Sequence, residues 1–288
     1  MQSPSSDARP WILLSPALLT ILLLMVIPMG IMLIVSFYIY VDVGVDEPAF
    51  QFGNWQEFFG DPYYHYAIWQ TLRVATITAV VCALIGYVPA YFIATTSYAH
   101  KWLLMLLLIL PFWVSFIIRT LSWIHVLGSQ GIINALLMGI GLLEEPLPML
   151  YNEGSVIMGM IHFLLPYMVL NIYVSLEGID PNLVPAARTL GATAWQAFLK
   201  VTLPLSLPGL AAGTLLCFVL AAGVYVTPLI LGGPDDFLFG NVIFDTLMSE
   251  LNWPMGATLS CAMLAMLGVV VVIYNRFMGL NQVYRSLG

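Results

Sequence analysis

Charge is scarce in this sequence. Only 8% of its 288 residues are charged, while 61% are hydrophobic. A soluble domain carries roughly 25% charged residues. So few charges cannot cover a water-soluble fold of this length, and apolar runs that cross a bilayer explain the deficit. Lysine is nearly absent: Lys101 is followed by Trp102 and Lys200 by Val201. No Gly-x-x-x-x-Gly-Lys-Ser/Thr phosphate loop can be formed from them, so the chain itself is not expected to bind ATP. The net charge of −7 argues against nucleic acid as a partner. Cys82, Cys217 and Cys261 lie in apolar runs without metal-ligand spacing and read as small core residues. His65, His100, His125 and His162 are scattered, so no metal site is expected. Nor is there a visible cluster of nucleophile and base, and an enzyme is not expected.

What the sequence has instead is long apolar segments. Six are legible, at 11–40, 67–97, 102–127, 154–176, 206–231 and 256–278. A helix needs about 20 residues to cross the hydrocarbon core. Helices are required because lipid offers no water to satisfy open backbone groups. The first segment is far longer than the roughly 7–15 apolar residues of a signal peptide, and no small-residue cleavage site follows it. It is therefore expected to remain as the first span. Pro28, Pro89, Pro111, Pro166 and Pro228 fall inside segments, where kinks are expected. The expected fold class is all-α: a polytopic membrane protein with six transmembrane helices. Its single transmembrane domain covers 11–278, between terminal segments 1–10 and 279–288.

The sparse charges are sorted by side. One set of connections and ends holds Arg9, Lys101, Arg188, Lys200, Arg276 and Arg285. The other set, 41–66, 128–153 and 232–255, holds no lysine or arginine at all. The positive-inside rule makes the first set cytoplasmic, with both termini inside. The outer connections contain Asp42, Asp46, Glu47, Glu57, Asp61, Glu144, Glu145, Glu153, Asp235, Asp236, Asp245 and Glu250. The inner side has only Asp7, Glu177 and Asp180. An outer face this negative would concentrate cations. Equally, acids are the solubilising groups left once basic residues are excluded.

Arg73 and Arg119 fall inside segments, in their outer parts. An intramembrane charge is a functional candidate by default. A structural ion pair or a clamp on the backbone is the simpler expectation for both. Between the third and fourth segments, Ile132, Ile133, Leu136, Leu137 and Ile140 share one helical face. The stretch 131–143 reads as a short interfacial helix, a gate element or a plain amphipathic connector.

The cytoplasmic connection 177–205 carries the most information. Asp180-Pro181 or Val184-Pro185 opens a helix, since proline suits its first position. Gly191 ends that helix, as a left-handed cap does. Thr193 and Gln196 have capping-box spacing for a second helix. Lys200 is then expected in that helix's last turn, with Pro204 breaking the chain before the fifth span. Ala186, Ala187 and Gly191 are small enough to admit a close protein surface.

This connection resembles the EAA loop of permease subunits of binding-protein-dependent ABC importers. The family pattern is Glu-Ala-Ala, three residues, Gly, nine residues, an Ile-like residue, one residue, then Leu-Pro. Ala186-Ala187, Gly191, Val201 and Leu203-Pro204 fall at the required spacings. Pro185 stands where the family usually has Glu. The resemblance implies an ABC type I importer-like permease whose loop docks on a cytoplasmic ATPase. The coupling residues would be Pro185, Ala186, Ala187, Arg188, Gly191, Ala192, Leu203 and Pro204. ATP and magnesium would be bound by that ATPase. The expected partners are a second homologous permease subunit, two ATPase subunits, an external solute-binding protein and the lipid of a bacterial inner membrane. A self-sufficient secondary transporter is the competing class; it calls for inverted repeats and midplane charges, and no repeat is visible.

Three further segments are similar to the first-permease type of spermidine/putrescine importers. They are Pro111-Phe112-Trp113-Val114-Ser115-Phe116-Ile117-Ile118-Arg119, His162-Phe163-Leu164-Leu165-Pro166-Tyr167-Met168-Val169, and the outer run Gly232-Gly233-Pro234, Gly240-Asn241-Val242-Ile243 and Trp253-Pro254-Met255-Gly256-Ala257. The implied cargo is a polyamine such as spermidine or putrescine, with betaine- or γ-aminobutyrate-like amines as the alternative. A desolvated cation over an aromatic face gains about 2 kcal/mol. Candidates to line the path are Trp113, Tyr225, Tyr38, Tyr167 and Trp123, with Asp245 and Glu250 at the outer mouth.

The charge asymmetry has a direct test. In a variant without the native cysteines, an impermeant thiol reagent should label Glu145→Cys on intact spheroplasts. Arg188→Cys should react only after permeabilisation. The opposite pattern would invert the topology.

Overall fold

The computed structural model describes residues 9–96 and 98–278. The terminal segments expected at 1–10 and 279–288, including Asp7 and Arg285, thus lie outside the described residues except for 9 and 10. The described residues are mostly helical, and six stretches are long and apolar enough to cross a membrane. The chain divides into two compact units.

The first unit comprises residues up to 62 together with 243–265. Helix α1 (Arg9–Val35) ends five residues earlier than the apolar run suggested. The reason is Ser36. It is fully buried, and its hydroxyl donates back to the Leu33 carbonyl at 2.7 Å. Its own carbonyl accepts from Asn54 Nδ2 at 2.8 Å and Thr258 Oγ1 at 3.2 Å. That carbonyl belongs to no helix ladder, so the helix stops. Tyr38 therefore sits in the turn after α1, not inside a span. A two-stranded hairpin follows, β1 (Ile39–Asp42) with β2 (Val45–Glu47) antiparallel, turning through Gly44 at φ 71°. Helix α2 (Gly53–Gly60) turns Asn54 and Phe58 inward. Phe37, Phe50 and Phe52 stack or meet edge-on with centroids 5.0–5.6 Å apart. No described side chain of α1 is buried.

The second unit comprises residues 63–242 and those from 266 on. Helix α3 (Pro62–Thr95) is the second span. The third expected span, 102–127, is not one helix. Helix α4 (Tyr98–Ile109) passes into a 3-10 turn (Leu110–Trp113), an extended step at Val114 and Ser115, then helix α5 (Phe116–Leu127). Pro111 supplies the cause: its ring cannot continue an α-helix, and it sits near the start of the tighter turn, where its missing N–H costs nothing. Helix α6 (Ile132–Gly139) is the amphipathic stretch. Helix α7 (Glu153–Glu177) is the fourth span, opened by a capping box between Asn152 and Ser155.

Helix α8 (Leu183–Thr189) and the single turn α9 (Ala194–Ala197) form the connection between the fourth and fifth spans. Helix α10 (Leu203–Ala222) carries the fifth span. It stops at Gly223, well before residue 231, and the short helix α11 (Val226–Leu231) follows. Helix α12 (Phe239–Met248) and helix α13 (Trp253–Met278) complete the chain.

The core of the second unit is built on α7. Met160, Leu164, Met168, Val169 and Ile172 are fully buried along it. In lipid no hydrophobic force drives helices together, so close packing of small residues has to do it. Helix α10 meets α7 through Gly209 and Gly213, a four-residue small-residue spacing. A Cβ at Gly209 would run into Ser175 Cβ and the Asn171 carbonyl, and one at Gly213 would lie 2.8 Å from Met168 Sδ. Gly86 of α3 and Gly159 of α7 allow similar approaches to Met168 and Leu231. Pro166 leaves α7 one N–H short. The Cys217 thiol lies 3.6 Å from the Leu164 carbonyl and the Cys82 thiol 4.0 Å from the Ile161 carbonyl. Cys82 and Cys217 are fully buried, as small core residues.

Gly209→Val should therefore destabilise the protein by about 1–3 kcal/mol through overpacking. Gly268→Ala meets nothing within 4 Å and should leave thermal unfolding in detergent unchanged or slightly improved. Equal melting of both variants would show that the α7–α10 contact is not close-packed.

Candidate functional site

The connection 177–205 is a helix–glycine–helix element. Asp180 Oδ1 accepts from the Asn182 N–H at 2.9 Å and from Asn182 Nδ2 at 3.0 Å, which turns the chain out of α7. Helix α8 then begins at Leu183, so Pro185 falls in its first turn. A first-turn N–H has no intrahelical partner, and proline there leaves nothing unsatisfied. At the other end, Gly191 adopts φ 91°. The Gly191 N–H donates to the Arg188 carbonyl at 3.0 Å, and the Ala192 N–H to the Ala187 carbonyl at 3.1 Å. This pair of bonds is the Schellman closure that a left-handed residue permits. The Thr193 N–H donates to Gln196 Oε1 at 2.9 Å, and the Gln196 N–H to Thr193 Oγ1 at 3.2 Å. The expected capping box is thus present at α9.

Two expectations at the far end of the connection need correction. Pro204 does not break the chain, and Lys200 is not in a terminal turn. A π-helical segment (Phe198–Thr202) joins α9 to α10 without interruption. Proline at 204 offers no N–H to the preceding turn and crowds the Lys200 carbonyl. Widening that turn by one residue accommodates the proline while the helix continues.

The element presents small and apolar groups outward. Pro185, Ala186, Arg188 and Gly191 are exposed, and Ala187 and Ala192 are half-buried. Leu203 is half-buried and Pro204 exposed. Leu190 is 90% exposed and Trp195 66% exposed, and neither was singled out from the sequence. The missed signal was two large apolar residues in a stretch already assigned to water. Such side chains gain by being covered.

The expected lining residues separate into groups. Tyr167 packs edge-on against Phe112 at 4.9 Å and Phe163 at 5.7 Å, and Phe116 lies 4.6 Å from Phe163. The helix break at 110–115 and α7 thereby share one aromatic series. Trp123 donates from Nε1 to His162 Nδ1 at 3.3 Å, with the rings edge-on at 5.6 Å. Trp113, at the break itself, is 88% exposed and joins none of these contacts. Tyr225 lies where α10 gives way to α11, and its carbonyl accepts from Asn241 Nδ2 at 2.7 Å. Tyr38, Asp245 and Glu250 belong to the first unit. There the Tyr40 hydroxyl donates to the Glu250 carbonyl at 3.2 Å, tying the hairpin to the segment before α13. A cavity of about 620 Å³ in the second unit is lined by residues such as Ile124, His125, Gln130 and Tyr151, and by none of the expected path residues.

The in-membrane arginines behave differently. Arg73 forms an ion pair with Glu153 at the head of α7. Among the described residues, Arg119 has neither an ion pair nor a backbone acceptor. Its guanidinium lies over the Phe163 ring at 5.8 Å, and Nε and Nη1 are buried without a hydrogen-bond partner. Lys101 pairs with Glu177, joining the start of α4 to the end of α7.

Comparison with known proteins agrees with this architecture. The model for the binding-protein-dependent transport system inner membrane component matches residues 99–282. The spermidine/putrescine transport system permease protein PotB of Haemophilus influenzae is 36% identical over 216 residues, 75% of this chain and 76% of that protein. PotB of Escherichia coli K12 is 34% identical over the same share of this chain and 78% of its own. Among solved structures, a bacterial ABC transporter involved in import of the acidic polysaccharide alginate superposes with a TM-score of 0.77. The match is 20% identical and covers 94% of this chain and 96% of that one, so it speaks for the fold. With this loop, these spans and these relatives, the chain belongs to the family of binding-protein-dependent transport system inner membrane components, the permease subunits of ABC importers.

Proposed function

We propose that this permease forms half of the translocation path for a polyamine such as spermidine or putrescine. The observation that carries the reading is identity of 34–36% over three quarters of the chain to proteins named for that transport. Supporting it are outer connections that carry acids and no basic residue, which favour a cationic cargo. The aromatic series at the α4–α5 break, with Tyr167, Trp113, Trp123, Tyr225 and Tyr38, offers faces for alkylammonium groups. Asp245 and Glu250 would meet the cargo on the outer side.

The chain works as a receiver of force. A second permease subunit completes the path, two ATPase subunits bind ATP with magnesium, and an external binding protein delivers cargo. The connection 177–205 faces the cytoplasm, as do both termini. Its exposed Leu190 and Trp195, with the small surface at Ala186, Ala187 and Gly191, make the ATPase-docking surface. ATP-driven closure of the ATPases moves that surface and rocks the spans between inward- and outward-open forms.

Cargo is tested by reconstituting the importer in liposomes with its binding protein and measuring stimulated ATP hydrolysis. Spermidine or putrescine should stimulate. Stimulation by betaine or γ-aminobutyrate alone would move the assignment to another small amine, and stimulation by sulfate alone would overturn the cation reading. Docking is tested separately. Gly191→Val places a β-branched residue at a positive φ, where an L-residue is strained by about 1–2 kcal/mol. Together with Ala187→Trp it should abolish co-purification with the ATPase. Retained association and uptake in both variants would remove the loop from the mechanism.

A further inference from the structure

The docking surface joins the membrane spans by two routes. One is covalent, through the π segment into α10. The other is lateral. Trp195, on the single turn α9, stacks on Phe198 with centroids 5.4 Å apart and planes at 20°. Phe198 in turn stands edge-on to two rings of α3, Tyr87 at 5.7 Å and Tyr91 at 5.6 Å. Tyr87 and Tyr91 are four residues apart, on one face of that helix. The Tyr87 hydroxyl lies 2.8 Å from Ser206 Oγ on α10. Ser206 already gives its proton to the Leu203 carbonyl at 3.0 Å, so Tyr87 is the donor. Ser206 is fully buried.

Helix α3 therefore touches the loop-to-span helix on both sides of its irregular stretch. Phe198 opens the π segment, and Ser206 lies beyond it and beyond Pro204. A π segment followed by a proline lacks the regular ladder that stiffens an α-helix, and such places are where helices bend. A push on the docking surface would be absorbed there if nothing braced it. Trp195 is itself 66% exposed, so the stack begins at the surface that a partner would cover.

We propose that Trp195, Phe198, Tyr87, Tyr91 and Ser206 form a splint across the π segment. It delivers displacement of the docking loop to α3 as well as α10. These are positioning residues for transport. The inference rests on the reading of the loop as the ATPase-docking surface.

The test uses the complete importer in proteoliposomes, reading cargo moved per ATP hydrolysed, co-purification with the ATPase, and thermal unfolding. Phe198→Leu keeps apolar bulk and removes the ring. It should retain association and hydrolysis while cargo per ATP falls by about fivefold or more, a loss of the size that intersite coupling commonly carries. Tyr87→Phe, which deletes only the hydroxyl bond to Ser206, should fall in the same direction by less. Phe198→Tyr keeps the stack and should restore the ratio. Tyr91→Leu serves if Phe198→Leu fails to assemble. An unchanged ratio in Phe198→Leu and Tyr91→Leu, or uptake and hydrolysis falling in step, would overturn the splint. Leu190→Asp separates the two readings. Loss of ATPase association there, with a normal ratio in Phe198→Leu, rejects the splint alone, whereas intact association and uptake in Leu190→Asp reject the docking loop itself.

Discussion

Every structural decision in this chain answers one constraint. A main chain in hydrocarbon must satisfy its own N–H and C=O groups, because water is not there to do so. Prolines inside spans keep breaking that rule, and each break is repaired differently. At Pro111 the helix gives up and restarts, with a 3-10 turn and two extended residues between α4 and α5. At Pro166 helix α7 runs on without an interruption. At Pro204 the helix widens by one residue and runs on. The segments that bend are thus those in which the ladder is already compromised, and they coincide with the family's characteristic loop and with the aromatic series.

The same constraint explains why glycine matters more than leucine to the core. Leucine is as content in lipid as against another helix, so burial of leucine does not select a neighbour. Close approach does. Gly209 and Gly213 let α10 lie directly on α7, and Gly86 and Gly159 let α3 and α11 do likewise. A rigid central helix follows, and rigid elements transmit displacement.

What could be read from the sequence was what depends on neighbours in the chain. Gly191, the Thr193–Gln196 box and the six apolar stretches are local features, and local spacing was enough. The splits of the third and fifth spans were not read, because hydropathy is blind to hydrogen-bond geometry. Pro111 and Pro228 are visible in the sequence, but there they predict kinks and not the end of a helix. The early end of α1 depends on Asn54 and Thr258 reaching back to Ser36, across sequence distances that no periodicity reports. Arg73 could be matched to an outer acid because several were available, and Glu153 proved to be the one. Arg119 carried the same expectation, with Glu144 and Glu145 in the following connection, and the structure pairs it with neither. Its environment is set by Phe163, and only the packed helices reveal it.

The interior of the second unit also bears on how a polyamine would pass. Among its spans, acids stand at the ends, as Glu153 and Glu177 do, and both are engaged by basic residues. No carboxylate lies between them on α7. A free carboxylate in that position would hold an ammonium group by about 4 kcal/mol at contact distance with an effective dielectric near 20. A cargo with several ammonium groups would then be trapped. Aromatic faces offer roughly 0.5–2 kcal/mol each, enough to replace part of the lost hydration but weak enough to release. Arg119, cationic and without an acceptor at Nε or Nη1, would work in the same direction by disfavouring residence of another cation beside it. A permease that receives its cargo from a binding protein and is driven by ATP does not need an attractive well of its own. It needs a surface that a cation tolerates in passing, and aromatic rings with the acids kept at the helix ends would provide one.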